Sequence, residues 1–214
     1  MRPEQAERWL SQARFHNFLN ATEDDHDLAV ALYLWNAEVS TAFLGTLHHL
    51  EVLLRNAIDR RFPPSDRNRQ VSICGAEVWL TDPGVLEDQG REKVNEAIGR
   101  LINEGRRSTR ARLVASLTLG FWSTLFSGRY EDLWRSTLVG AFPNGNGKRS
   151  QIRKTLTRIQ QLRNQAAHHE AIFGRNLDKD YRLMLDLAGF IDTEARDYID
   201  AQSRTNEVLA RRPR

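Results

Sequence analysis

Residues 28–62 read LAVALYLWNAEVSTAFLGTLHHLEVLLRNAIDRRF, and the architecture turns on this run. Leu28, Leu32, Trp35, Val39, Ala42, Thr46, Leu50, Leu53 and Ala57 recur in steps of three and four, the spacing that gathers side chains on one face of an α-helix. Phe43, Leu47, Leu54 and Ile58 widen that stripe, as expected of a helix covered on several sides. The spacing predicts one long helix reaching Phe62, with a bend expected near Gly45, as the spine of a bundle. Glu23-Asp24-Asp25 stands just before it, where carboxylates favour a helix start by capping and by the helix dipole.

The flanking sequence reads as more helix. Residues 4–19 predict a short helix that buries Trp9, Leu10, Phe15 and Phe18. Pro63-Pro64 stops the spine, and residues 63–76 read as a loop. After the Asp82-Pro83-Gly84 turn, a helix starting at Val85 or Arg91 runs to Glu104, with Val94, Ile98, Leu101 and Ile102 on its apolar face and Gly105 ending it. An apolar helix with Leu113, Val114, Leu117, Leu119, Phe121, Trp122, Leu125 and Phe126 follows, then an aromatic segment from Tyr130 to Phe142. Trp35, Trp122 and Trp134 sit among leucines and read as core. Asn144-Gly145-Asn146-Gly147 is a connection, and Ser150 is the expected N-cap of the next helix. A last helix spans about Asp178 to Gln202. No stretch alternates like a strand, so the expectation is an all-α bundle, one domain over 1–202, with 203–214 a basic, disordered tail.

Composition narrows the class. A hydrophobic share of 40% and a charged share of 28% are those of a globular domain. The formal charge is only +3, yet arginine heavily outnumbers lysine, and guanidinium is the better phosphate ligand. The one cysteine, Cys74, excludes an internal disulfide framework and a Cys-rich zinc site. The polar N-terminus lacks a signal-peptide core and no run of about 18 apolar residues occurs, so a cytoplasmic location away from membranes is expected.

Chemistry concentrates in residues 159–173, IQQLRNQAAHHEAIF. Arg163 is a permanently charged five-donor fork suited to phosphate oxygens. His168 can take or give a proton near neutral pH. Asn164 lies one turn before His168, where its amide can fix the imidazole tautomer. On a straight helix, however, Arg163 falls about 40° and His168 about 180° from the apolar stripe of Ile152, Leu156, Ile159, Leu162 and Ala166. Either the helix ends or distorts near Ala167, or a second copy of the chain completes the site.

The string R-N-x-x-x-H-H-E resembles the R-x4-H signature of HEPN domains, in the setting of their Abi-like (abortive infection) branch. Arg14-Phe15, Leu32-Tyr33-x-Trp35-Asn36, Glu51-Val52-x-Leu54-Arg55-Asn56, Gly120-Phe121-Trp122 with Leu125, Phe142-Pro143 and Leu162-Arg163-Asn164-x-x-Ala167-His168-His169-Glu170 follow that branch's order across residues 10–190. The resemblance implies a HEPN-like bundle with additional helices, working as a homodimeric, metal-independent endoribonuclease with a composite site and no cofactor. It further implies a role in phage defence or as a toxin, whose partners are an RNA substrate and a restraining antitoxin protein or small RNA. Arg163, Asn164 and His168 are then the catalytic candidates, and His169 and Glu170 support them by hydrogen-bonding the site or the dimer partner. Ala166-Ala167 would allow close backbone approach at the two-fold axis. The alternative is a non-catalytic HEPN module that binds RNA or a partner protein.

Glu51 and Arg55, spaced i to i+4, read either as a surface ion pair or, with Asn56, as groups that pack on the motif helix and orient it. Arg106, Arg107, Arg110 and Arg112 form the densest basic cluster, and Lys148, Arg149 and Arg153, followed by Lys154 and Arg158, crowd a helix N-terminus where cations are disfavoured. Both clusters are candidate RNA contacts. The pairs His48-His49 and His168-His169 point about 100° apart on a helix, and no H-E-x-x-H spacing occurs, so no metal site is expected.

Overall fold

Apolar residues at helical spacing fold into eleven α-helices among the residues that this computed structural model describes, 1–62 and 79–214. They are α1 (Pro3–Leu10), α2 (Gln12–Ala21), α3 (His26–Asp59), α4 (Asp88–Asn103), α5 (Arg110–Ser116), α6 (Leu119–Thr124), α7 (Glu131–Ser136), α8 (Arg149–Ala167), α9 (Leu177–Ile191), α10 (Thr193–Gln202) and α11 (Thr205–Ala210). Short 3-10 turns occur at Trp79–Thr81, Gly128–Tyr130 and Leu138–Ala141, and no strand is present among the described residues. The loop expected at 63–76, including Cys74, lies outside the described residues.

The spine is α3. Its 34 residues span about 51 Å at about 1.5 Å per residue. The Asp25 carboxylate caps its start by accepting from the Leu28 amide at 2.9 Å. It runs unbroken through Gly45 and buries Leu32, Trp35, Val39, Phe43, Leu47, Leu50, Leu54 and Ile58. Helices α1, α2, α5, α8, α9, α10 and α11 pack on it, so its apolar surface is covered from several sides. That coverage is the structural use of a helix which, by length and composition alone, could cross a membrane. One core joins all these helices into a single compact all-α domain, with Trp35, Trp122 and Trp134 inside it.

Several boundaries differ from the sequence expectation, each for a local reason. The first helix breaks at Ser11, whose φ is +67°, and Trp9 remains 59% exposed instead of buried. Ile102 is likewise exposed, although Val94, Ile98 and Leu101 on the same helix are buried. Extended backbone at Leu117 and Thr118 divides α5 from α6. Asp192 ends α9 and caps α10 by accepting from the Ala195 amide at 3.0 Å, so the expected last helix is two. Ser150 falls inside α8, whose N-cap is Lys148; Asn146 accepts the Lys148 amide at 3.1 Å and so holds the turn. The stretch expected as a disordered tail carries α11. Thr205 and Val208 are buried there, the Trp35 indole donates to the Val208 carbonyl at 2.8 Å, and Arg211 pairs with Glu38.

Candidate active site

Helix α8 delivers the motif to its own C-terminal end. Ile152, Leu156, Ile159, Leu162 and Ala166 are buried, as the stripe predicts, and this fixes the helix on the core. The helix stops at Ala167, with His168 as its C-cap. The His169 amide donates to the Ala166 carbonyl at 3.2 Å and the Glu170 amide to the Gln165 carbonyl at 2.9 Å. These two bonds form a Schellman motif. Its left-handed position, which favours glycine, is occupied by His169 at φ +58°. Of the two alternatives, the structure contains the helix end, which falls one residue before His168; the His168 amide still donates to the Asn164 carbonyl at 2.9 Å, so this residue keeps its helical register.

Asn164, His168, His169 and Glu170 are exposed and Arg163 is half-buried. Among the described residues no hydrogen bond or ion pair engages the side chain of any of the five. Ala166 is 1% exposed within the core, so of the two alanines only Ala167 offers small surface at this end.

The loop after the motif is held by groups from elsewhere in the chain. Asn36 on α3 is 5% exposed. Its Oδ1 accepts the amides of Ile172 (2.8 Å) and Phe173 (3.2 Å), and its Nδ2 donates to the Glu170 carbonyl at 3.2 Å. A second clamp centres on Asp180 of α9, 1% exposed. One of its oxygens accepts from Arg158 of α8 and the other from Arg175 of the loop at 2.8 Å. Arg175 also donates to Gln165 Oε1 at 2.8 Å, tying the loop to the last turns of α8. On the other flank, Arg14 of α2 reaches the His168 carbonyl at 3.5 Å and adds a guanidinium beside the motif.

Sequence reasoning gave Asn36, Arg175 and Asp180 no role. A signal existed for two of them. Asn36 stands four residues after Leu32 and three before Val39, and Asp180 three after Leu177 and four before Met184, so each is a polar residue on an apolar helical face. A polar group so placed needs a partner.

The other candidates have diverse surroundings. No ion pair joins Glu51 to Arg55, and no hydrogen bond links Glu51, Arg55 or Asn56 to α8 among the described residues. Arg55 faces α5 instead, where Nη1 donates to the Ala115 carbonyl at 3.4 Å and Nε is buried without a partner among the described residues. Arg110 closes the end of α3. It donates to both Asp59 carboxylate oxygens (2.9 and 3.1 Å) and to the Asp59 carbonyl (2.8 Å), while the Trp79 indole donates to the same carboxylate at 2.8 Å. Arg149 is similarly engaged, with Glu131 at 2.5 Å and the Phe126 carbonyl at 2.6 Å. That hydrogen bond, and a second from Arg135, hold the Glu131 carboxyl below its ordinary range. Arg106 pairs with Glu104, and Arg112 donates to the Arg107 carbonyl at 3.2 Å. Two of the seven cations read as RNA contacts, Arg110 and Arg149, are thus fastened inside the fold, whereas Lys148 and Arg153 are exposed and unpaired among the described residues.

No three His, Cys, Asp or Glu side chains gather into a metal-binding group among the described residues. What the end of α8 offers is proton transfer by imidazole and anion binding by guanidinium at a solvent-facing helix terminus. No protein-family model matches the chain, and neither a curated protein nor a solved structure matches it.

Proposed function

We propose that this protein is a metal-independent endoribonuclease of the HEPN type, Abi-like in the order of its motifs, acting in abortive infection or as the toxin of a toxin–antitoxin pair. The observation that carries the reading is the end of α8. Arg163, Asn164 and His168 reach the surface there without an internal partner among the described residues, whereas Arg110, Arg149, Arg158 and Arg175 are all tied to carboxylates.

In this reading His168 removes the proton from a ribose 2′-hydroxyl, and the freed oxygen attacks the adjacent phosphorus. The bond from phosphorus to the 5′ oxygen breaks, and that oxygen takes a proton from a second acid. The products are a 2′,3′-cyclic phosphate and a 5′-hydroxyl, so the step consumes neither water nor an oxidant. Arg163 offsets the charge that builds on the phosphorane. One His168 acts as base, and the matching imidazole of a second copy acts as acid in a two-fold composite site. Asn36 and Asp180 position the motif through its loop.

The test is purified protein incubated with total RNA in the presence of EDTA, followed by end-group determination. The expected products carry cyclic phosphate and 5′-hydroxyl ends, and His168→Ala yields none while melting like the parent. A strict requirement for a divalent cation, or 5′-phosphate ends, refutes the mechanism. Binding without cleavage would favour the RNA-binding module instead.

A further inference from the structure

Helix α8 also lines a cleft of which only Arg153 figures among the candidate RNA contacts. Helix α4, helix α6, the Gly128–Tyr130 turn and α8 enclose about 320 Å³, the size of a small ligand site. Two glycines allow the walls to close. A Cβ at Gly90 would lie 2.9 Å from the Tyr130 hydroxyl, and one at Gly120 would lie 3.0 Å from Gln160 Nε2. Lys93, Arg129 and Arg153 line the cleft, one from each of three walls. Among the described residues none of the three side chains makes an ion pair or hydrogen bond. Glu87 supplies the single carboxylate in the lining, and the remaining groups are hydroxyls, amides and glycines, Ser123 and Ser127 among them. Excess positive charge around hydroxyl and amide donors suits a phosphate with a sugar attached.

The cleft also has a direction. Arg153, Thr157 and Gln160 of its lining continue as Asn164 and His168 at steps of four, three, four and four, which places all five within about 80° of arc on α8. Thr157 and His168 are eleven residues apart, or about 16 Å along the axis. All but Gln160 are exposed, and Gln160 is half-buried.

We infer that this cleft is a subsite for the ribose–phosphate backbone of single-stranded RNA, which runs from it along α8 toward His168. A volume of about 320 Å³ is the size of a small ligand, not of a duplex, and the guanidinium groups of the cleft can also stack on unpaired bases. Binding in the cleft stands by itself; only the strand's course to His168 rests on the nuclease reading.

The experiment uses the full chain carrying His168→Ala, so that RNA stays intact, and a labelled single strand of about 12 nucleotides followed by anisotropy over a salt series. Adding Lys93→Ala and Arg129→Ala should weaken binding about tenfold and make the salt slope shallower by about 1.4, the change expected when two phosphates of a single strand are no longer neutralised. Lys179→Ala with Arg182→Ala removes the same charge from α9, outside the cleft, and should leave affinity within about twofold. Unchanged affinity and slope in the cleft variant, or no RNA binding at all, overturns the inference. If AMP binds as tightly as the strand and loses its binding in the cleft variant, the cleft is a free-nucleotide pocket and the strand assignment falls. If the cleft variant loses RNA binding but the wild-type protein cleaves nothing, the subsite stands and the nuclease reading fails.

Discussion

Replacing Asn36 with alanine should show how the motif is held. Asn36 makes three hydrogen bonds to the chain between Glu170 and Phe173, and at about 1 kcal/mol each they contribute about 3 kcal/mol. The Ile172 amide belongs to a fully buried residue, and losing its acceptor adds the cost of an unsatisfied donor, about 1–3 kcal/mol if water cannot replace it. A loss of about 3–6 kcal/mol is therefore expected from a total stability on the order of 5–15 kcal/mol. Urea denaturation at unchanged m-value is the assay, with a fall in Tm of roughly 6–24 °C as a second reading. Asn36→Asp keeps the acceptor for both amides but loses the donor to Glu170 and buries charge, so it should recover only part of the loss. Because the clamp holds the chain that follows His168 and His169, the proposed RNA cleavage should also fall at temperatures where the variant is still folded. A loss under about 1 kcal/mol for Asn36→Ala would refute the clamp.

Asp180→Ala leaves two guanidinium groups beside an empty, buried carboxylate site and should cost about 3–5 kcal/mol in the same denaturation assay. The Tyr181 hydroxyl is pushed up to about 12 by burial, then by its hydrogen bond to Asp200. Its folded value exceeds the unfolded one, so this contribution to stability is complete below pH 10 and declines between pH 10 and about 12. In Tyr181→Phe that decline should be shallower when Tm is followed across the alkaline range. Deleting residues 203–214 uncovers Trp35 and removes the acceptor for its indole, so a loss of about 3 kcal/mol or more is expected from thermal melts. A truncated chain as stable as the parent would mean that α11 is not part of the fold.

The all-α character was readable because apolar residues in α3 and α8 repeat every three or four positions, and burial follows that repeat from Leu32 to Ile58 and from Ile152 to Ala166. Helix ends were less readable, since they depend on single residues whose signals compete. Ser11 breaks a run in which nothing local forbids helix, and Asp192 acts as a cap although an aspartate also fits a helix interior. The end of α8 near Ala167 was one of two alternatives open from the sequence, and no glycine marked it, because a histidine holds the left-handed position. At the candidate site, the residues of the motif itself were legible from their chemistry. The groups that position it were not, because Asn36 meets its partners 134 to 137 positions away and periodicity carries no information about such distances. Nor does composition distinguish Arg110, folded onto Asp59, from Arg153, left open.

The indole of Trp35 meets its acceptor 173 positions later in the chain. During synthesis at about 5–20 residues per second, roughly 10–35 s separate the emergence of these two groups from the ribosome. For that interval the surface of α3 around Trp35 has not gained its last cover. Slowed translation between residues 60 and 205 would lengthen its exposure.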